Sequence, residues 1–331
     1  MGVYMNIFTS TVPGKLLLFG EHVVLSGAPG IAVTLPLSLD AELQIGNEIT
    51  KGLEIITDNE YTDTVKNIAE RQWHLLAPHT KPSGHLTITS SIPPGQGFGS
   101  SAALCASLAL ITAHTVLQAS GRGNKPSCCS GTHHIDAAQL DDERRLLVWK
   151  LAHEGEKLVH GTPSGIDTGA VLHKGLNAFY DFNNALPALV PCKLLGGWLV
   201  WGYIPRALPA RVCIEKVAQA RASSAYRELM HIAQQSFELV TSPYRNADVI
   251  ETIGSFAERA THCFEDLDLN PRKMADLSAL AKQEGALGGK LSGAGMGGAF
   301  WFVLRTKDDA QRLKQRILTE KICCYAAIAE I

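Results

Sequence analysis

Between Pro93 and Ala103 the chain reads Pro93-Pro94-Gly95-Gln96-Gly97-Phe98-Gly99-Ser100-Ser101-Ala102-Ala103. Three glycines alternate with other residues and two hydroxyls follow. Glycine admits positive φ angles and lets a ligand approach the backbone. The next run, Ala102 to Ile111, has high helix propensity and no polar face, the pattern of a buried helix. Ser100 or Ser101 stands where its cap belongs. A glycine-rich loop feeding a helix N-terminus offers free N–H groups and the positive end of the helix dipole, which suit a phosphate group. The same residues would also make a serine-capped tight turn.

Three further segments carry reactive side chains. Pro13-Gly14-Lys15-Leu16-Leu17-Leu18-Phe19-Gly20-Glu21-His22 sets a lysine, a glutamate and a histidine around a short apolar run. His160-Gly161-Thr162-Pro163-Ser164-Gly165-Ile166-Asp167 places one carboxylate in a Pro/Gly loop. Lys290-Leu291-Ser292-Gly293-Ala294-Gly295-Met296-Gly297-Gly298 is a second glycine loop, running into the strand-like Phe300–Leu304. Taken singly, Asp167 reads as an Asx turn and Lys15 as a surface lysine. Residues 293–298 formally satisfy the dinucleotide-binding G-x-G-x-x-G, but that fingerprint must open a helix, and here a β-branched and aromatic run follows. Gly285–Lys290 is one residue short of a Walker loop and lacks its hydroxyl, because Leu291 follows the lysine.

The elements that must position these residues follow from periodicity and turn chemistry. Strands are expected at Leu16–Phe19, Ile31–Leu37, Ala41–Ile45, Leu53–Thr57 and His85–Ser90, with one helix over Tyr61–Leu76. The buried helix ends near Ser120-Gly121, and Arg122–His134 reads as a mobile, Gly/Ser-rich insertion with His133 and His134 in a surface loop. A helix over Ala137–His160 carries Leu147, Val148, Leu151, Ala152, Leu158 and Val159 on its apolar face. Glu154 and Glu156 flank that face on opposite edges, and periodicity does not choose between them. Strands Ala178–Phe182 and Trp198–Ile204 bracket a domain boundary near Pro187–Pro191, dividing the chain into residues 1–192 and 193–331. The remainder is helix-rich from Arg211 to Gly285. It closes with strand Ala299–Leu304, helix Asp308–Thr319 and strand Ile322–Ala329, a split βαβ pattern. The fold class is α+β.

Composition excludes several function classes. The 331 residues are 46% hydrophobic and 19% charged with a net charge of −2, which leaves no electrostatic footprint for nucleic acid or an anionic membrane. The eight cysteines include no C-x-x-C pair, so a structural zinc site is not expected. No secretory leader or peroxisomal tripeptide is evident, so reduced thiols and a cytoplasmic location are expected. Gly99–Gln118 is long enough to raise a membrane span, but its serines, Thr112, His114 and Thr115 argue for a helix buried in protein.

The four segments, in this order, resemble the GHMP kinase superfamily, and within it the mevalonate kinases. They cover a small part of the chain but reach from position 13 to position 299. The resemblance implies an S5-like N-terminal domain with a left-handed crossover and a ferredoxin-like C-terminal domain. It also implies ATP- and Mg2+-dependent phosphorylation of the 5-hydroxyl of mevalonate. Asp167 then matches the catalytic base and Lys15 its electrostatic partner. Pro94, Gly95, Gln96, Gly97, Phe98, Gly99, Ser100 and Ser101, with Gly293 and Gly295, match the nucleotide-binding loops. Ser101 and Glu156 match the metal ligands, which selects Glu156 over Glu154, while Glu21, His22 and Ser164 match residues beside the substrate. A prenyl diphosphate inhibitor and a homodimer are compatible with the family. The galactokinase pattern, with Arg-Val-Asn before Gly-Glu-His, is not the one here, and the phosphomevalonate kinase pattern lacks the His160–Asp167 loop. A non-catalytic ligand sensor on the same fold is the alternative of a different class. Gln96, Phe98 and Met296 depart from smaller family residues, with bulk that could narrow the pocket. No threonine-bearing segment is found after the Trp198–Ile204 strand, and the adenine pocket is unassigned.

Overall fold

The structure, a computed structural model, describes residues 5–46, 52–57, 61–121, 131–244, 248–323 and 325–331. Most of the expected insertion, residues 122–130, lies outside them. The chain forms two compact units, and strands β1 (Met5–Phe19) and β2 (Gly30–Gly46) run through both. The first unit comprises Met1–Gly14, Pro36–Pro94 and Gly99–Lys174; the second comprises Lys15–Leu35, Gly95–Phe98 and Gly175–Ile331.

The first unit holds parts of β1 and β2 with β3 (Leu53–Thr57), α1 (Thr62–Leu76), β4 (Gly84–Ser90), α2 (Ser100–Ala119), β5 (Gly131–Ile135), α3 (Asp142–His160) and α4 (Ile166–Leu172). Its strand order is β3-β4-β2-β1-β5, with β3–β4 and β1–β5 parallel. The helix after the glycine loop sits where its composition requires. Among the described residues α2 is the one helix long and apolar enough to cross a membrane, yet α1, α3 and α4 pack against it and bury most of its length.

Several expectations are corrected. β1 begins at Met5 rather than Leu16, because Phe8, Ser10 and Val12 alternate inward and the buried Ser10 hydroxyl pairs with Ser107 Oγ at 2.6 Å. His133 and His134 lie in strand β5, not in a loop. The His133 ring stacks on Phe8 at 5.3 Å, and His134 Nδ1 meets Thr9 Oγ1 at 3.1 Å. The helix expected from Ala137 is interrupted because two aspartates cap in succession. Asp136 accepts from the Ala138 N–H and opens a single 3-10 turn, which stops at Leu140, and Asp141 accepts from the Arg144 N–H and opens α3. The inward face of α3 is also rotated. Leu158 and Val159 are exposed, whereas Trp149, His153, Gly155 and Glu156 point inward beside Val148, Leu151 and Ala152. Gly155 permits this, since a Cβ there would sit 2.8 Å from Gln72 Nε2 and 2.9 Å from Ile68 Cγ2.

The second unit adds β6 (Leu176–Tyr180), β7 (Ala188–Cys192), β8 (Trp198–Ile204), α5 (Ala210–Gln219), α6 (Ser224–Thr241), α7 (Val249–Asp266), α8 (Arg272–Gln283), β9 (Gly288–Leu291), β10 (Gly298–Leu304), α9 (Lys307–Thr319) and β11 (Tyr325–Glu330). β6 pairs with the start of β2 and with β7. The other four strands form an antiparallel sheet of order β11-β8-β10-β9, the ferredoxin-like arrangement expected from the split βαβ pattern. Every residue of β10 is buried, and α7, α8 and α9 pack against the sheet.

Candidate active site

In the first unit the N-terminus of α2 is capped by Gly99 at φ +78°, not by a serine side chain; Ser100 and Ser101 are its first two residues. The first bond of the helix runs from the Ala103 N–H to the Gly99 carbonyl at 2.8 Å. The N–H groups of Ser100, Ser101 and Ala102 therefore precede the intrahelical ladder, as donors at a positive helix end. The Ser101 hydroxyl lies 2.9 Å from Nε2 of His160, the last residue of α3. One turn earlier, Glu156 is 1% exposed.

Glu156 and His160 line a pocket with Pro163, Ser164, Gly165 and Asp167. The segment that brings Asp167 there is held from both sides. The Gly165 carbonyl accepts from the Trp149 indole at 3.1 Å and from the Thr168 hydroxyl at 3.2 Å, and Ser164 Oγ accepts from the Ile166 N–H at 3.3 Å. Asp167 thus belongs to the first turn of α4 rather than to an open loop. Glu154 is placed differently. It is bonded to Lys157 and, at 3.1 Å, to Arg71, and these contacts, the Lys157 bond first, hold its carboxyl below the usual range.

The second unit gathers the remaining candidates. Gly95 to Phe98 are laced to the antiparallel sheet: the Ala299 N–H donates to the Gln96 carbonyl at 2.7 Å and the Lys15 N–H to the Phe98 carbonyl at 2.9 Å. Lys15 is 5% exposed. The Phe98 ring is fully buried, edge-on to Trp201 at 5.3 Å and Tyr203 at 6.1 Å. Its bulk therefore anchors the loop in the core instead of narrowing a pocket.

The second glycine loop joins β9 to β10. Met296, which stands in a glycine position of the family motif, sits at φ +54°. That conformation is costly for a side-chain-bearing residue, and the surroundings impose it. Its N–H donates to the Leu269 carbonyl at 2.7 Å and its carbonyl accepts from Ala207 at 2.8 Å.

Glu21 and His22 tie their turn to this loop. The Glu21 carboxylate pairs with Lys290 Nζ and accepts from the Gly293 N–H at 3.4 Å. Lys290 also donates to the carbonyls of Leu18 at 3.3 Å and Leu291 at 2.6 Å, and its ammonium lies 5.5 Å from the centre of the Phe264 ring. Burial pushes Glu21 up and Lys290 down, and each partner's charge opposes the shift. Lys290 had no assigned role in the sequence, although a lysine inside an apolar strand signals a buried partner.

His22 Nε2 lies 3.2 Å from the Ala294 carbonyl, and burial lowers its pKa to about 4. A histidine whose pKa falls on folding contributes stability that is complete above its unfolded pKa of 6.5 and is lost as pH drops towards 4. Thermal unfolding followed from pH 7 to pH 4 should show a decline that is shallower in His22→Gln. Identical pH profiles for the two proteins would contradict this placement.

Known proteins bear on this arrangement. The model for the GHMP kinases N-terminal domain matches residues 63–122, and that for the GHMP kinases C-terminal region matches residues 245–322. A curated relative, the mevalonate kinase of Aeropyrum pernix, is 24% identical over 356 residues, covering 97% of this chain and 96% of the relative. The crystal structure of L. major mevalonate kinase in complex with R-mevalonate superposes with a TM-score of 0.72 at 20% identity, covering 100% of this chain and 96% of that one. Lactococcus lactis galactokinase complexed with galactose gives 0.69 at 17% identity, covering 99% and 92%. The backbone alone therefore does not select a substrate. Matched by both domain models in chain order, and by relatives along nearly its whole length, the chain belongs to the GHMP kinases.

Proposed function

We propose that this protein is a mevalonate kinase, transferring the terminal phosphoryl group of ATP to the 5-hydroxyl of mevalonate. The observation that carries the reading is the pocket of the first unit, where the buried Glu156 and the half-buried Asp167 share a wall next to the His160–Ser101 pair at the start of α2. Phosphoryl transfer needs a cradle for the phosphates, charge neutralisation and a group that accepts the attacking hydroxyl's proton. The N–H groups at the head of α2 supply the cradle, and a prenyl diphosphate would compete for the same donors. The Glu156 carboxylate and Ser101 hydroxyl are hard oxygen donors, a set that fits magnesium, which keeps several waters and needs few protein ligands. The ion, when bound, would neutralise phosphate charge. Asp167 takes the hydroxyl proton, and Lys15 stabilises the Asp167 carboxylate and the phosphoryl group in flight. ADP release measured with and without mevalonate tests the reading; nucleotide binding without mevalonate-dependent release would favour a ligand sensor.

Three substitutions separate roles within this scheme. Glu156→Gln should raise the magnesium requirement and cut kcat strongly, whereas Glu154→Gln, which loses only two surface ion pairs, should cost little. Magnesium titrations of the two variants check this, and the reverse ordering would put the wrong edge of α3 in the site. Lys15→Arg keeps the charge but replaces a compact ammonium by a planar fork that favours bidentate pairing with one anion. Misplacing the reacting oxygen by about 1 Å can cost about 10²-fold, so kcat should fall by that order while mevalonate affinity changes much less. Steady-state kinetics at saturating ATP decide it, and a near-normal kcat would reduce Lys15 to a background charge.

A further inference from the structure

His160 lines the pocket of the first unit without a role in the transfer itself. It is the last residue of α3, one turn beyond Glu156, so the two side chains leave the helix on the same edge. Its backbone is fixed at the helix end. The Gly161 N–H closes α3 on the Lys157 carbonyl at 2.9 Å, with Gly161 at φ +68°, and the Thr162 N–H donates to the His160 carbonyl at 2.8 Å. The side chain is exposed, and its Nε2 meets the Ser101 hydroxyl at 2.9 Å.

A serine hydroxyl rotates, and the partner that takes its proton decides where its lone pairs point. Deep in a helix the chain's own backbone does this. Thr115 and Ser236 turn their hydroxyls onto the carbonyls of Ile111 at 2.8 Å and Ile232 at 2.7 Å, four residues earlier. Ser101 is the second residue of α2, so no helical carbonyl precedes it. Its orientation comes from another element, through the imidazole of His160.

The geometry points to His160 as a positioning residue for the magnesium site: its Nε2 lone pair accepts the Ser101 proton and leaves the oxygen lone pairs of Ser101 to a cation held jointly with Glu156. This rests on the reading of Ser101 and Glu156 as the metal's ligands. The opposite sense, an Nε2–H donating to Oγ, would occupy a lone pair and oppose the cation. Outer partners that orient a metal ligand are typically worth about 10- to 100-fold in metal affinity.

The test is equilibrium dialysis of ATP against the wild type, His160→Leu and His160→Gln, at saturating Mg2+ and in EDTA, without mevalonate. The glutamine amide oxygen accepts the serine proton at a reach similar to that of Nε2, whereas leucine accepts none. Wild-type affinity should rise with Mg2+. In His160→Leu the affinity with Mg2+ should fall by about tenfold while that in EDTA is unchanged, and His160→Gln should keep most of the gain. In a Ser101→Ala background, where the hydroxyl is absent, adding His160→Leu should cost nothing further. An equal loss with Mg2+ and in EDTA would make the imidazole a structural support. A gain unchanged in His160→Leu, or lost as fully in His160→Gln, would remove the positioning role, and an additive loss in the Ser101→Ala background would place the effect elsewhere. Each of these results overturns the proposal. His160→Ala takes the place of His160→Leu if the latter does not fold. A wild type whose ATP affinity ignores Mg2+ refutes the ligand assignment and this proposal with it. A wild type that shows the Mg2+ gain but leaves mevalonate untouched refutes the substrate reading and not this one.

Discussion

Replacing Asp167 by asparagine is expected to lower kcat by about 10² to 10⁴, the usual worth of general-base assistance. The amide keeps the shape of the carboxylate but accepts no proton. The fold tolerates the change, because Gly165, not Asp167, receives the anchoring bonds from Trp149 and Thr168, and Ser164 satisfies the Ile166 N–H. Nucleotide affinity should therefore change little, since the donors at the head of α2 belong to a different element. The measurement is single-turnover phosphorylation at saturating MgATP and mevalonate, together with ATP affinity measured separately. A folded Asp167→Asn enzyme with near-normal kcat would remove Asp167 from the mechanism. A parallel loss of kcat and ATP affinity would instead show that the substitution had disturbed the phosphate cradle.

The second large effect is on stability. Lys290 and Glu21 have side chains 1% and 3% exposed, so neither charge has access to water. Lys290→Met leaves the Glu21 carboxylate buried with backbone N–H contacts, Gly293 at 3.4 Å among them, but no counter-charge, and breaking a buried pair in this way costs about 3–5 kcal/mol. Removing both charges is far less costly, because a neutral amide needs hydrogen bonds but no counter-charge, so the double variant Glu21→Gln with Lys290→Met should recover much of the loss. The three ring systems around the ammonium, Phe19, Phe264 and Trp301, would receive a methionine readily. Urea unfolding of the single and double variants gives the comparison. A single variant as stable as the wild type, or a double variant losing the sum of two single losses, would contradict a coupled buried pair.

What could be read from the sequence follows physical lines. The glycine loops, the apolar helix α2 and the strands β8 and β10 were legible because local composition alone specifies them: positive φ needs glycine, and fully buried elements show no polar face. The long β1 was hidden because an inward serine breaks the apolar alternation, and its pairing with Ser107 comes from a residue 97 positions away. The inward face of α3 was misjudged for a similar reason. A buried glutamate and histidine replaced the expected Leu158 and Val159, and only the close approach at Gly155 explains that rotation. Among the candidate site residues, those lying within motifs could be named in advance. What they pair with could not: His160 and Lys290 stand inside those segments too, but the tertiary fold sets the contacts of His160 with Ser101 and of Lys290 with Glu21.

The acceptor is identified most directly by 31P NMR of products formed with MgATP and, in turn, mevalonate, phosphomevalonate, galactose and homoserine. A mevalonate kinase should yield one ADP per mevalonate consumed and a single phosphomonoester on its 5-oxygen, with the other three acceptors inert. Turnover of galactose or phosphomevalonate, with mevalonate left unchanged, would contradict it.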